Sequence, residues 1–405
     1  MRRIEIPKEA IERHGKTLAV NLLSFLARLA DGKKVSWKVG KNENIKKRNK
    51  YLKALQKKEC IDYWKWVYDQ FKSHEILVAK PERLAAFARE STDRFDNLGE
   101  TPRSAIREVT TRLFSYEHFR DGKILLPATK EKPYPYLIQW FCPAVKDGRK
   151  RKRKKSQATK RHEEEFYSWE GWGIAEFVRL LDIRYCPYCN AETVGTAMLP
   201  GRIHVPDIDH IFPKDNYPLL ALSLYNLVPA CNRCNSRFKK AQDMLKDWNG
   251  KDALPVLHPY VDNVYRKIRF DYRPKSLENL FIRPHIKDSP LTVSPVKDGD
   301  DRADAYIDEY HLNEIYRDVY AEEINEMIRM EAICSKDFVK AMKKWYRLQD
   351  SDFDKLFRRS SLDPWKINHF RFAKLIIDLH HAIGSDINAR KKREIEARLR
   401  EKFRL

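Results

Sequence analysis

The sequence predicts an α+β protein in which a small strand–loop–strand–helix unit is pinned by four cysteines and set between two mainly helical regions. Three observations carry that expectation. Two Cys-x-x-Cys pairs, Cys186/Cys189 and Cys231/Cys234, have 41 residues between them. Inside that interval, short β-like runs alternate with turn signals, Pro200-Gly201 and Pro213-Lys214-Asp215-Asn216. Outside it, apolar residues recur at helical spacing.

The N-terminal region, 1–145, is expected to be a mainly helical recognition or partner-docking domain. Leu18, Leu22, Phe25 and Leu29 share one helical face, which stops at Asp31-Gly32. Tyr63, Trp64, Trp66, Val67, Tyr68 and Phe71 suit a helix–helix core better than a base-stacking platform. Pro133 to Phe141 reads as a strand or a docking loop. Residues 146–165 form a basic linker: ten of the sixteen residues from Lys146 to Arg161 are Lys or Arg, and Arg149, Lys150, Arg151, Lys152, Arg153, Lys154 and Lys155 are unbroken. Such a run repels itself and suits phosphate better than a fold.

The core is expected over 166–262. A helix from Ser168 to Leu181 leads into the first cysteine pair. Two residues between thiols let both reach one ion, and two such pairs complete the closed tetrahedral set of a structural zinc site. A redox Cys-x-x-Cys would need a strand–helix setting that is lacking here, and would leave the second pair unexplained. Strands are expected at Thr193 to Leu199, Arg202 to His210 and Leu227 to Ala230, with a helix from Asn235 to Trp248. From 263 to 405 the pattern is mixed, then helical. Leu312, Ile315, Val319, Ile324 and Ile328 mark one long helix, Phe372 to Ile383 another, and Ile395, Leu399 and Phe403 a last basic one. His380-His381 lies on such a helix without acidic or cysteine companions and reads as structural.

Asp207-Ile208-Asp209-His210-Ile211-Phe212-Pro213, then Asn226-Leu227-Val228-Pro229-Ala230-Cys231-Asn232-Arg233-Cys234-Asn235, resembles the HNH, or ββα-metal, endonucleases in their four-cysteine branch. Fifteen residues separate His210 from Asn226, and eight separate Asn226 from Asn235. The resemblance spans Cys186 to Tyr260. It implies a ββα-metal core in which His210 is the general base that deprotonates the attacking water. Asp209 and Asn235 would be ligands of one catalytic Mg²⁺ or Mn²⁺. Asn226 would hold the loop and orient the His210 ring. Chemistry agrees: a His suits proton abstraction near neutrality, and a carboxylate with an amide suits an oxygen-loving ion.

Neighbouring residues yield smaller expectations. Lys214 and Lys239 are placed to meet the scissile strand. His204, six residues before His210, has the same strand parity, and His258 follows the core helix; either suits a second-shell position. The run with His258-Pro259-Tyr260 behind it is similar to HNH proteins of bacterial anti-phage systems, Septu-type or retron-associated. Such systems pair the HNH subunit with an ABC-type ATPase, which implies a partner here.

A net charge of +22 over 405 residues points to a polyanion, DNA with RNA as the alternative. Without the net +9 of the linker, +13 remains elsewhere. No apolar run reaches ~18 residues, so a membrane span is not expected. Cys60, Cys142 and Cys334 are scattered singletons, which suits a reducing, cytoplasmic setting. The competing reading is a zinc-stapled module that grips nucleic acid without cutting, or a subunit silent until a partner licenses it.

Overall fold

The structure is a computed structural model that describes residues 1–33, 35, 45–73, 75–120, 123–126, 136–139, 172–199, 202–240, 242–243, 254–272, 291–333 and 336–386. The basic run 149–155, Cys142, Cys334 and the expected last helix lie outside them.

The N-terminal helices form where the apolar spacing places them. The helix Lys8–Ala30 buries Leu22, Phe25, Leu26 and Leu29. Asp31 closes it, and Gly32 follows at φ 65°, where an added Cβ would lie 2.7 Å from Ile61 Cδ1. Lys58–Phe71 buries Tyr63, Trp64, Val67 and Phe71. Trp66 stacks on Phe87 of the helix Pro81–Asp96 with ring centroids 5.3 Å apart. The aromatic cluster is therefore interhelical packing. Within the stretch from Pro133 to Phe141, Tyr136–Gln139 is a strand, antiparallel to Lys123–Leu126.

In the centre, the two expected strands become three. Ala197–Leu199 and Arg202–His204 form one hairpin, while Asp207–His210 pairs antiparallel with Leu227–Ala230. Val205-Pro206 breaks the run, because proline has no N–H to give a ladder. The break separates His204 from His210, so their shared parity carries no meaning. His204 is exposed on the first hairpin. Beyond the second cysteine pair the helix begins earlier than expected. It is a π-helix, Arg233–Lys239, whose wide turns accommodate extra chain.

In the C-terminal region, Ile268–Tyr272 pairs antiparallel with Leu291–Pro295. The single long helix expected through Leu312 and Ile328 is broken into Leu312–Glu314, a π-segment Ile315–Val319 and Ala321–Ile333. Val319 is left 49 % exposed. The breaks re-aim a set of tyrosines at the first cysteine turn. Tyr306 Oη donates to the carbonyls of Pro187 (3.0 Å) and Tyr188 (2.9 Å), and Tyr316 Oη to that of Cys189 (2.5 Å). A regular helix would have aimed these side chains at fixed 100° steps, so satisfying the turn overrode periodicity. The helix Ala373–Asp386 holds His380, whose Nδ1 lies 2.5 Å from Glu331 Oε1, a carboxylate also gripped by Arg358. The histidine pair is structural, as expected. Apolar side chains from all regions, Ile4, Trp64, Phe177, Phe212, Tyr306 and Leu379 among them, join one continuous core. No helix among the described residues is long and apolar enough to cross a membrane.

Three histidines, His14, His210 and His258, are buried in this core, and burial lowers each pKa from 6.5 to about 4. Above pH 6.5 they are neutral folded or unfolded. Between pH 6.5 and about 4 only the unfolded chain takes up their protons, so stability should fall with pH through that window and level off below it. Each ring contributes at most about 3 kcal/mol to the loss. Urea midpoints measured from about pH 7.5 down to about pH 4.5 check this. His14→Gln should flatten part of the slope, and a level profile would contradict it.

Candidate active site

The site is built from the cysteine pairs outward. Cys186, Cys189, Cys231 and Cys234 are all buried, and their sulfurs lie within 4.8 Å of one another. Cys189 Sγ and Cys231 Sγ are 3.9 Å apart. A tetrahedron of thiolates at a Zn–S distance of ~2.3 Å has edges of about 3.8 Å, so the four donors fit zinc. Backbone N–H groups turn toward the sulfurs, from Ala191 to Cys189, Cys231 to Cys186 and Cys234 to Cys231, at 3.4–3.5 Å. Hydrogen bonds from the other thiols hold the Cys189 thiol well below its usual range, whereas burial pushes Cys186 up. The first turn closes because Asn190 adopts the left-handed φ of 55°. Its side chain donates to the carbonyls of Ile367 (2.9 Å) and Phe370 (3.1 Å), tying the knuckle to the C-terminal region.

The four cysteines place Asp207–His210 against Leu227–Ala230, with His210 opposite Leu227. Between these strands runs the loop from Ile211 to Asn226. Asn226 is fully buried and satisfies the loop at both ends. Its Nδ2 donates to the carbonyls of Phe212 (3.2 Å) and Leu220 (2.9 Å), and its Oδ1 accepts from Phe212 N (2.7 Å). The expected direct bond from Asn226 to the His210 ring is not formed. All of Asn226's polar atoms are spent on the loop, and the ring is held by the carbonyl of Ala221, one residue past Leu220, at 3.2 Å from Nε2. A carbonyl only accepts, so Nε2 carries the proton and Nδ1 carries the lone pair. Asn226 is thus a positioning residue that acts through the loop.

Several contacts escape any motif. Tyr116, from the N-terminal region, packs edge-to-face against His210 with centroids 4.7 Å apart, and Lys214 Nζ lies 5.4 Å from the Tyr116 ring centre. His14 Nε2 meets the Leu222 carbonyl at 2.6 Å while its Nδ1 accepts from Trp172 Nε1 at 3.1 Å. Helix Lys8–Ala30 therefore anchors the loop one residue beyond the His210 acceptor. Sequence offered only a weak signal for these roles: aromatic and histidine residues with no motif of their own.

Asp209 differs most from its expected role. It is 1 % exposed; Tyr188 Oη donates to its Oδ2 at 2.5 Å and Lys239 Nζ to its Oδ1 at 2.8 Å. With both oxygens engaged and an ammonium against them, Asp209 does not fit a divalent ion in this arrangement. Lys239, expected at a phosphate, is instead wholly buried and also donates to the His210 carbonyl at 2.9 Å. The π-helix, by adding length before Lys239, turns its side chain inward. Asn235 is half-buried one residue past Cys234, its backbone bonded to Cys231 and Lys240. Lys214 is half-exposed near His210. Nearby, burial pushes Glu309 up to about 7 against the pull of Lys239.

His258 does return toward this cluster, since its ring feels the Asp209 charge. It is 2 % exposed, and its Nδ1 accepts from Tyr260 N at 3.1 Å. Nε2 must then carry the proton, and it lacks a well-formed hydrogen bond. His258 can donate to a neighbour but cannot ligate a metal through Nε2 in this tautomer.

No family model and no solved structure matches the chain. The chain is similar to the Septu protein PtuB of Bacillus thuringiensis, 32 % identical over 88 residues, which are 22 % of this chain and 29 % of that protein. The chain thus covers under a third of that relative's length.

The four-cysteine site predicts that the purified chain carries about one zinc. Cys231→Ser should lose that zinc and the cooperative unfolding of the core, since structural zinc contributes roughly 10–16 kcal/mol of apparent energy in small domains. Metal analysis with a thermal melt checks this; a zinc-free protein that melts as sharply as the parent would refute it.

Proposed function

We propose that the chain is an HNH-type endonuclease that hydrolyses DNA phosphodiesters and serves in anti-phage defence. The observation that carries the reading is the His210 ring, fixed at the end of a strand by the Ala221 carbonyl with Nδ1 left as base. In the reaction, Nδ1 accepts a proton from water as its oxygen bonds to phosphorus, and one P–O ester bond breaks. Burial holds the ring neutral, so the base needs no deprotonation near neutral pH. No step is routed through a divalent ion, because Asp209 is closed to one here.

Support for the defence role is the similarity to the Septu protein. Its corollaries are a partner protein, an ABC-type ATPase being the one the resemblance implies, and a cytoplasmic site of action. The charge of +22 supports a nucleic-acid substrate, with RNA as the alternative to DNA. The Asp209–Lys239 pair favours a second reading, a zinc-stapled module that binds nucleic acid without cutting it, or that waits for a partner's licence.

His210→Ala separates the two. Plasmid cleavage, assayed with Mg²⁺ or Mn²⁺ and with genome-neighbour proteins, should fall about 10²–10⁴-fold. Zinc content, melting temperature and DNA affinity should stay near those of the parent. The acid limb of the parent's pH–rate profile should lie below the ordinary histidine range, because the neutral ring persists down to about pH 4. If His210→Ala cuts as well as the parent, the hydrolytic reading fails and the binding module takes its place.

A further inference from the structure

The resemblance puts a divalent ion at Asp209, and the structure puts a cation there that belongs to the chain. Lys239 Nζ sits 2.8 Å from Asp209 Oδ1 and 2.9 Å from the His210 carbonyl oxygen, with none of its side chain exposed. A carboxylate and a main-chain carbonyl are hard oxygen donors, the kind that Mg²⁺ and Mn²⁺ prefer. A third oxygen is at hand. Glu309, the last residue of the helix Asp301–Glu309, has a buried Oε1 with no hydrogen-bond partner among the described residues. It feels the charges of both Lys239 and Asp209. The pocket therefore surrounds one ammonium with more oxygen than the ammonium uses.

The backbone that delivers Lys239 is unusual in two ways. Lys239 ends a π-helix, in which a residue is accommodated beyond the α-helical repeat. The next residue, Lys240, has φ 54° and ψ −128°, a conformation that L-residues with a Cβ avoid. Relaxing the π-turn to α would rotate Lys239 by roughly 100° about the helix axis and carry its ammonium off Asp209.

We propose that Lys239 is a displaceable stand-in for a divalent ion. In the chain by itself its ammonium closes the Asp209 site. Mg²⁺ or Mn²⁺ enters, held by Asp209 with Glu309 beside it, only when the π-turn relaxes and Lys239 withdraws. One cation replaces another, so Asp209 is never left buried and unpaired. The use of that ion rests on the nuclease reading, but its binding can be measured without nucleic acid.

The test is Mn²⁺ titration of the zinc-loaded full chain, read by calorimetry, by Mn²⁺ electron paramagnetic resonance and by melting temperature. Parent, Lys239→Met and Lys239→Gln are compared, with Asp209→Asn added to each variant as the control. Both lysine variants should bind Mn²⁺ at least about tenfold more tightly than the parent, and Mn²⁺ should raise their melting temperatures. Adding Asp209→Asn should abolish that gain. Lys239→Gln keeps a donor for both oxygens, so it guards against a variant that fails for want of a hydrogen bond. A parent that binds Mn²⁺ as tightly as the variants overturns the proposal. So do variants that gain no binding, or that cannot fold even with Mn²⁺, because the ion is required to replace the lost charge. Variants that bind Mn²⁺ but cut nothing would uphold the stand-in and remove the nuclease reading instead.

Discussion

Four sulfurs within 4.8 Å of one another are the constraint on which the rest of this structure depends. They bring together two turns 41 residues apart, a separation whose closure by packing alone would cost substantial chain entropy. Leu227–Ala230 runs directly into Cys231, so fixing the second pair fixes the partner of Asp207–His210. Tyr188 stands between the cysteines of the first pair, and its hydroxyl reaches the Asp209 carboxylate. The metal-binding turn and the proposed hydrolytic strand are thus one mechanical unit. Its outer surface is sealed by Tyr306 and Tyr316, which satisfy carbonyls that a buried turn would otherwise leave unpaired.

The Asp209–Lys239 pair is a different kind of constraint. Burying two charges is expensive, and a buried pair adds little net stability compared with apolar packing. Its effect lies in what each partner is prevented from doing. Lys239 cannot reach a phosphate, and Asp209 cannot offer an open oxygen. The Tyr188 hydroxyl on the other oxygen makes the carboxylate still less available, while Tyr188 itself stacks on Tyr310 with centroids 4.1 Å apart. The arrangement trades stability for control of a single anionic group, which is the economy expected of a functional site rather than of a core.

The N-terminal helices take part in the site more directly than a docking domain would. His14 and Trp172 secure the Leu222 carbonyl, Ala221 secures His210, and Tyr116 covers the imidazole. Asn226 closes the same loop from inside. The orientation of one imidazole is therefore set by three separate stretches of chain, each with its own polar groups satisfied. Loosening any of them would move the ring, because the loop has no regular ladder of its own to hold it.

Much of this was legible from residue order alone. The cysteine spacing, the helical apolar faces, the stop at Asp31-Gly32 and the pairing of Asp207–His210 with Leu227–Ala230 follow from local chemistry, which acts over a few residues. The linker 149–155 was equally plain as a charge run. What escaped was set by contacts across long sequence separations. Periodicity made one helix of Leu312 to Ile328, but the carbonyls of a cysteine turn over a hundred residues earlier broke it. Strand parity aligned His204 with His210 until Pro206 split the run. Lysine chemistry sent Lys239 to a phosphate, and a π-helix turned it inward to Asp209. Which residue types meet is written in the chain. Which of their atoms remain available is decided only when distant segments compete for the same carboxylate, carbonyl or ring nitrogen.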